Sequence, residues 1–197
     1  MDDCLLLDAG SGGRASQRLI AQCFMRHFAN PLLERMDDAA LLTDISGPLA
    51  MSTDSYTVTP LFFAGGSIGS LAVHGTVNDV AMLGARPRYL SCGFILEEGL
   101  PLETLERVVA DMGSAAREAG VSIVTGDTKV VPRGACDKIF INTTGIGQVF
   151  ASPSPYGKEA ARIGTVTEGK AQVALQTLIG GRRLLGMLEG AQLPRIC

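Results

Sequence analysis

The first apolar pattern in the chain is that of an amphipathic helix. From Leu19 onward, apolar residues recur one, four, five and nine positions later, with His27 at the eighth, which places them on one stripe of a helix over residues 15–28. The pair Asn30-Pro31 should end this helix, because proline cannot continue it.

Two longer helices and four strands follow. Helices are predicted over 67–83 and 103–119, with Gly84 and Gly120 as their stop signals. Short apolar runs rich in β-branched residues predict strands over 48–53, 88–96, 121–125 and 138–149. This alternation of strands and helices predicts an α/β or α+β domain over residues 1–149.

The pattern changes near residue 150. Residues 150–155 are rich in Pro and Ser and form a junction of linker type. Beyond it we expect a strand over 172–179, a turn at Gly180-Gly181, a short helix or strand over 182–188, and a tail. The segment 156–197 is too short to build a core of its own.

Composition and charge exclude several classes of protein. The net charge is −3 with no basic block, which argues against nucleic-acid binding. No apolar run approaches the roughly 20 residues that cross a bilayer, and the acidic start does not resemble a secretory signal. Five cysteines without a CxxC motif suggest neither a disulfide framework nor a zinc knuckle, so we expect a cytoplasmic protein.

Acidic residues recur where the predicted apolar segments end. The residues concerned are Asp37, Asp38, Asp54, Asp79 and Asp127. Carboxylate oxygens without His or Cys suit Mg²⁺, which bridges protein carboxylates to substrate phosphates. Strand ends meet at one edge of a sheet, so several of these residues are expected to converge. Taken singly, each Asp is also explained as a turn former or helix cap.

A glycine loop and a lysine add phosphate-binding chemistry. Ser11, Gly12 and Gly13 precede the first helix, where backbone N–H groups can face a phosphate, although such loops are common. Lys129 lies two residues after Asp127, where an ammonium can neutralise phosphate charge or simply be solvated.

The histidines and most cysteines have structural explanations. His74 shares a helix face with Asn78 and either contacts a nucleotide or packs in the core, whereas His27 lies on an apolar stripe. Four cysteines are expected to act as small hydrophobic residues: Cys4, Cys23, Cys92 and Cys136. Cys197 differs because it is the last residue, where a thiol can swing between sites.

Several stretches together resemble one family. They are GSGGRASQRLI (10–20), DDAALL (37–42), AMSTDSYTVTPLFF (50–63), GSLAVHGTVNDVAMLGARPRYLSCGFILEEGLP (69–101), GVSIVTGDTKVVPRGACDKIFINTTGIG (120–147), PYGKEAARIG (155–164) and QLPRIC (192–197). The chain resembles the HypE family of hydrogenase-maturation proteins in the PurM-like ATP-binding superfamily. The ending QLPRIC separates this family from thiamine-phosphate kinases and selenide-phosphorylating enzymes, the rival assignments.

The resemblance implies a fold and a chemistry. The fold is α+β, a PurM-like N-terminal ATP-binding domain with a mixed sheet flanked by helices, followed by a short tail segment. A HypF-type carbamoyltransferase would load Cys197, and ATP with Mg²⁺ would drive dehydration of the S-carboxamide to a thiocyanate. The cyanide would pass to iron on a HypC–HypD scaffold for [NiFe]-hydrogenase. A homodimer is expected.

The resemblance also assigns residues. The five Asp residues would surround magnesium and phosphates, and Lys129 would stand near the modified Cys197. The expected nucleotide contacts are Ser11, Gly12, Gly13, Ser55, Asn78, Gly126 and Thr128.

The chain departs from this family at one place. Family members carry a second α/β domain, and here it is expected to be deleted at 150–155, so that 156–197 follows directly. The alternative function is therefore a non-catalytic carbamoyl acceptor or partner-binding remnant of the same pathway.

Overall fold

The computed structural model describes residues 4–150, 164–165, 167–169 and 172–185. The chain divides into two compact units, and the described residues up to 150 belong to the first. Within the described ranges, no helix is both long and apolar enough to cross a bilayer.

The first unit contains a four-stranded sheet and a layer of helices. The helices are α1 (Arg14–Leu19), α2 (Met25–Phe28), α3 (Ile68–Met82) and α4 (Leu102–Ala119). The strands are β1 (Leu49–Tyr56), β2 (Phe62–Phe63), β3 (Gly66–Ser67), β4 (Ala85–Glu97), β5 (Ser122–Val131) and β6 (Ile139–Val149). Short 3₁₀ turns lie at Leu7–Gly10 and Leu33–Arg35.

The sheet is mixed, which confirms the α+β expectation. Its strand order is β1-β6-β4-β5. Strand β6 is antiparallel to both β1 and β4, whereas β4 and β5 are parallel. Strands β1, β4 and β5 therefore run in one direction, and β1 and β5 form the two edges.

Helices cover one face of this sheet, where the core lies. The residues with the least exposure come from α3, α4 and the helix-facing positions of β4 and β6: Ile68, Val73, Leu90, Leu96, Leu105, Val108, Met112 and Ile139. On β4 and β6 these buried positions alternate with more exposed ones, as expected for a sheet covered on one side.

The predicted helices are confirmed, and local signals set their ends. Helix α3 begins after Ser67, whose hydroxyl and backbone form a reciprocal capping box with Ser70. Helix α4 ends at Gly120, which has a φ of 66°. The first predicted helix is also present, but α1 and α2 are joined through a π-helical segment, Ile20–Phe24. We call residues 14–28 the N-terminal helical run.

Three strands are longer than predicted: β4 spans Ala85–Glu97 instead of 88–96, and β1 and β5 extend past predicted site residues. Strand β1 continues to Tyr56, so Asp54 lies inside it instead of beyond its end. Strand β5 continues to Val131 and includes the whole segment from Gly126 to Lys129. Both are edge strands, where polar side chains remain solvated while the backbone pairs with the neighbouring strand.

The second unit contains a hairpin. Strand β7 (Val173–Gln176) pairs antiparallel with β8 (Arg182–Leu185). The segment 182–188 had been predicted as helix or strand, and its described part is strand. Every residue of both strands is exposed.

Candidate functional site

A cavity of about 500 Å³ lies against the edge strand β5 of the first unit. Its apolar wall combines the N-terminal helical run with the sheet through Leu19, Ile20, Phe24, Phe28, Phe94 and Ile123. Its polar lining comes from three chain segments and contains Gly12, Asp37, Asp38, Gly126, Asp127, Thr128 and Lys129. The structure thus joins the predicted glycine loop, the first acidic pair and the β5 segment in one pocket.

The glycine loop is more ordered than its sequence suggests. The Ser11 N–H donates to the Asp8 carbonyl oxygen at 3.2 Å. The Gly12 N–H donates to the Ser16 hydroxyl at 2.8 Å. Two of the predicted phosphate donors are thus engaged within the loop, and Gly13 occupies the N-cap position of α1. The loop forms one end of the pocket, and the backbone N–H groups of Ser11 and Gly12 already have hydrogen-bond acceptors within the protein.

The first acidic pair follows a tight turn. Met36 has a left-handed backbone conformation, with a φ of 53°. This turn brings the Arg35 guanidinium to Asp37, with Nε and Oδ2 2.9 Å apart. Asp38 lies beside Asp37 in the pocket lining, and both residues are exposed.

The β5 segment supplies the opposite polar wall. Gly126 is required by close packing, because a Cβ there would lie 2.3 Å from the Cys92 carbonyl oxygen on β4. The Asp127 carboxylate accepts hydrogen bonds from the Thr128 N–H at 2.8 Å and from Lys129 Nζ at 3.1 Å. The predicted partners Asp127 and Lys129 are therefore in direct contact.

The remaining predicted residues form a second group at the opposite edge of the sheet. Ser52 on β1 donates a hydrogen bond to Asp79 of α3 at 3.0 Å. The Ser55 hydroxyl and the Asp54 carbonyl oxygen both accept from Asn142 Nδ2, at 2.9 and 3.0 Å. Asn78 and Asp79, the two predicted site residues on α3, are both exposed.

Strand register separates the two groups. Asp54 pairs with Thr143, Thr143 with Cys92, and Cys92 with Gly126. Three strand spacings of about 4.8 Å place Asp54 roughly 14 Å from β5. The side chains also diverge, because Asp54 shares the face of buried Tyr56 whereas Asp127 lies one residue from the helix-facing Gly126.

The expectation that the acidic residues converge is therefore only partly met. Asp37, Asp38 and Asp127 line one pocket, whereas Asp54 and Asp79 lie at the other edge. Among the residues that the structure describes, no group of three or more His, Cys, Asp or Glu side chains is arranged to hold a metal ion. The sequence pattern could not reveal this separation, because it depends on which strands become neighbours.

Burial distinguishes the cysteines. Burial, followed by the charge of Glu106, raises the pKa of Cys23 to about 12, and burial likewise raises the pKa of Cys92. Cys136 is partly buried, but Cys4 is exposed, so the expectation that it packs as a hydrophobic residue is wrong. Cys197 lies outside the described residues.

Asn30 is a site-positioning residue that the sequence marked only as a helix end. Its Nδ2 donates to the carbonyl oxygens of Phe28 and Ile123, at 2.9 and 2.7 Å. Its Oδ1 accepts from the N–H groups of Leu32 and Leu33, both at 3.1 Å. One side chain thus ties the helical run and its following turn to β5. A lone Asn before Pro gave no signal of this role.

Known proteins match a large part of this chain. The family model of AIR synthase related protein, N-terminal domain, matches residues 36–149. Carbamoyl dehydratase HypE of Escherichia coli (strain K12) is 60% identical over 149 residues, which are 73% of this chain and 44% of the relative. The chain therefore spans less than half the length of that relative.

Two solved structures are also similar. Hydrogenase maturation protein HypE in complex with ATP has a TM-score of 0.74 and 74% identity, covering 80% of this chain and 47% of the other. The structure of a HypE–HypF complex has a TM-score of 0.52 and 55% identity, covering 67% of this chain and 42% of the other. Both likenesses extend to sequence as well as fold.

Proposed function

The chain belongs to the AIR synthase related protein family, and from that premise we propose that it acts in [NiFe]-hydrogenase maturation. It would bind ATP with Mg²⁺ and take part in the dehydration of a carbamoylated Cys197 to a thiocyanate, the source of the cyanide ligand of iron. The homologues named HypE and carbamoyl dehydratase support this assignment.

The pocket beside β5 is the observation that carries the proposal. It combines an apolar wall with a polar lining of carboxylates, a lysine and a glycine loop. An aromatic base suits the apolar wall, and phosphates suit the polar lining when a cation balances the carboxylates. A relative with 74% identity over most of this chain was solved with ATP bound.

The donor chemistry of the pocket fits magnesium. Asp37, Asp38 and Asp127 offer hard carboxylate oxygens, and no histidine is among the described residues that line the pocket. A bound Mg²⁺ would neutralise charge on the transferring phosphoryl group. Mg²⁺ is commonly bound by one or two carboxylates together with substrate phosphates, so Asp127 and Asp37 are the ligands that we propose. Asp54 and Asp79 lie at the other edge and would need a second copy of the chain to approach the same nucleotide.

In this reaction, the residues of the chain would orient the bound groups and balance the charge that develops on them. The amide oxygen of the S-carboxamide is a poor leaving group, and its phosphorylation makes it a good one. Departure of phosphate with loss of both amide protons leaves the nitrile on sulfur. Lys129, at the pocket lining, can place its ammonium near the oxygen that becomes negatively charged.

The proposed partners follow from the same relatives. A HypF-type carbamoyltransferase would load the tail, as the HypE–HypF complex of a relative suggests. Transfer of the cyanide to a HypC–HypD scaffold, homodimer formation and a cytoplasmic location complete the proposal. Light scattering tests the dimer, and a monomer at working concentration would contradict it.

Mass spectrometry of the tail tests the central step. The chain would be incubated with ATP, Mg²⁺, carbamoyl phosphate and a HypF-type enzyme, and the peptide that contains Cys197 would be analysed. We expect a carbamoyl adduct that then loses the mass of one water. Cys197→Ala is the matched control and should remove the adduct, whereas label on Cys92 or Cys136 would refute the assignment.

A second function rests on the length of the match. The chain covers only 44% of the E. coli relative, so a non-catalytic carbamoyl acceptor of the same pathway is the alternative. A stable carbamoyl adduct that never loses water would favour the acceptor.

Variants of the acidic residues test ATP binding itself. Asp127→Asn should weaken Mg-ATP binding in calorimetry, because Asp127 lines the pocket. Asp79→Asn should do so only if the second edge contributes to the nucleotide site. Unchanged ATP affinity in both variants would contradict the assignment of these carboxylates.

A further inference from the structure

The pocket contains a carboxylate that is already paired with a cation of the same strand. Lys129 Nζ lies 3.0 Å from Oδ2 and 3.1 Å from Oδ1 of Asp127. The Thr128 N–H also donates to Oδ1 at 2.8 Å. Residues two apart on a strand point to the same face, so this pair follows from the strand geometry of β5. The oxygens that a metal ion would use are thus occupied by hydrogen-bond donors.

A second carboxylate of the pocket is paired in the same way. Arg35 Nε lies 2.9 Å from Asp37 Oδ2, and the left-handed turn at Met36 brings the two side chains together. The side chains of Arg35 and Asp37 are 52% and 51% exposed. Those of Lys129 and Asp127 are 62% and 67% exposed. Both cations are therefore free to move into solvent or onto a ligand without disturbing the core.

We propose that Lys129 and Arg35 are internal counter-ions of the two carboxylates, and that each must release its carboxylate when the pocket takes up a divalent cation. This inference rests on the proposed function, because it takes Asp127 and Asp37 as cation ligands. A carboxylate oxygen that faces an ammonium directs its lone pair to the N–H and offers less of it to a metal ion.

The consequence for the reaction is an order of events. While Lys129 is paired with Asp127, its ammonium is not available to a phosphate or to a carboxamide oxygen. Once Asp127 binds a divalent cation, the positive charge of that cation repels the ammonium, and Lys129 turns to the anionic ligand. Lys129 thus becomes available only in the pocket that already holds its metal and nucleotide. Lys129 and Arg35 act here as positioning residues that set the cation affinity of their neighbours.

The size of the effect follows from the exposure of the pairs. Exposed ion pairs change an equilibrium by about 1.5- to fivefold. Lys129→Gln and Arg35→Gln should therefore each lower the Mg²⁺ concentration that half-saturates ATP binding by about that factor. At saturating Mg²⁺, Lys129→Gln should bind ATP more weakly than the unaltered chain, because the released ammonium is lost.

The experiment is a titration of nucleotide binding with Mg²⁺ by calorimetry, repeated with Mn²⁺ by electron paramagnetic resonance. Arg88→Gln is the matched control, because Arg88 forms an exposed pair with Asp44 at 2.6 Å and neither residue lines the pocket. Its half-saturating Mg²⁺ concentration should equal that of the unaltered chain. Lys129→Arg restores the cation and should return the value toward that of the unaltered chain.

The possible outcomes distinguish a failure of the counter-ion exchange from a failure of the proposed function. If the unaltered chain binds Mg-ATP and both glutamine variants keep its Mg²⁺ half-saturation, the counter-ion exchange is wrong and the nucleotide site stands. If Arg88→Gln shifts as much as the other two, the effect is one of net charge and the inference is also wrong. If the unaltered chain binds no Mg-ATP, the proposed function fails together with it.

Discussion

Replacement of Gly69 by alanine should destabilise the first unit by about 1–3 kcal/mol, because two helix backbones meet at this residue. Gly69 is buried near the start of α3. A Cβ at this position would lie 2.2 Å from the carbonyl oxygen of Val108 on α4, and 3.1 Å from its carbonyl carbon. Neither atom can rotate away, since both belong to the backbone of a long helix.

The magnitude follows from the required displacement. An ordinary contact needs at least 3.4 Å, so α3 and α4 would have to separate locally by about 1.2 Å. Ile68, Leu105 and Val108 are fully buried around this contact and would lose packing. Alanine favours helix over glycine by up to about 1 kcal/mol, but the substitution lies in the first turn, where this gain is smallest.

Gly93→Ala on β4 is the matched control for this prediction. A Cβ there would have its nearest neighbour, the Asn142 carbonyl oxygen, at 3.9 Å, so the same chemical change should be neutral or slightly stabilising. Urea unfolding followed by far-UV circular dichroism measures both variants, because the chain contains no tryptophan. A Gly69→Ala protein as stable as the unaltered chain, or a Gly93→Ala protein equally destabilised, would refute the argument.

Three further outcomes are expected. Burial raises the pKa of Tyr56 to about 12, above its usual value near 10; the stability due to its protonated form is complete below pH 10 and is lost as the pH rises toward 12. Tyr56→Phe should remove this part of the alkaline loss in urea titrations, and an identical loss in the variant would contradict it. Iodoacetamide at pH 8 should label exposed Cys4 in the native chain and spare Cys23, whose pKa burial raises to about 12; peptide mass spectrometry would show equal labelling if the reasoning is wrong. Asn30→Ala should cost about 1–3 kcal/mol and weaken ATP binding, since Asn30 ties the N-terminal helical run to the Ile123 carbonyl oxygen; calorimetry with unchanged affinity would exclude a role in shaping the pocket.

The helices illustrate what local sequence can predict. The prediction of 67–83 differs by one residue at each end from Ile68–Met82, and that of 103–119 by one residue from Leu102–Ala119. A helix closes its hydrogen bonds within its own segment, so its ends depend on nearby caps and glycines. Ser67 and Gly120 are such local signals.

The strands were predicted less completely. The predictions 48–53 and 121–125 end before Asp54 and Gly126, where the apolar pattern stops. The strands themselves continue, to Tyr56 and Val131, because β6 and β4 supply backbone partners for the polar residues. A strand is stabilised by neighbours that are distant in sequence, so polarity alone does not mark its end.

The sequence by itself determined the family, the α+β class, the residue types of the candidate site and the glycine loop that precedes the first helix. Only the tertiary structure decided which of these residues meet. The order β1-β6-β4-β5 placed Asp54 and Asp127 at opposite edges, and the N-terminal helical run closed a pocket over β5. The physical reason is that a sequence motif shows which functional groups are present and how they are spaced along the chain. The distances in space between motifs are set by strand pairing and by packing of the shared core.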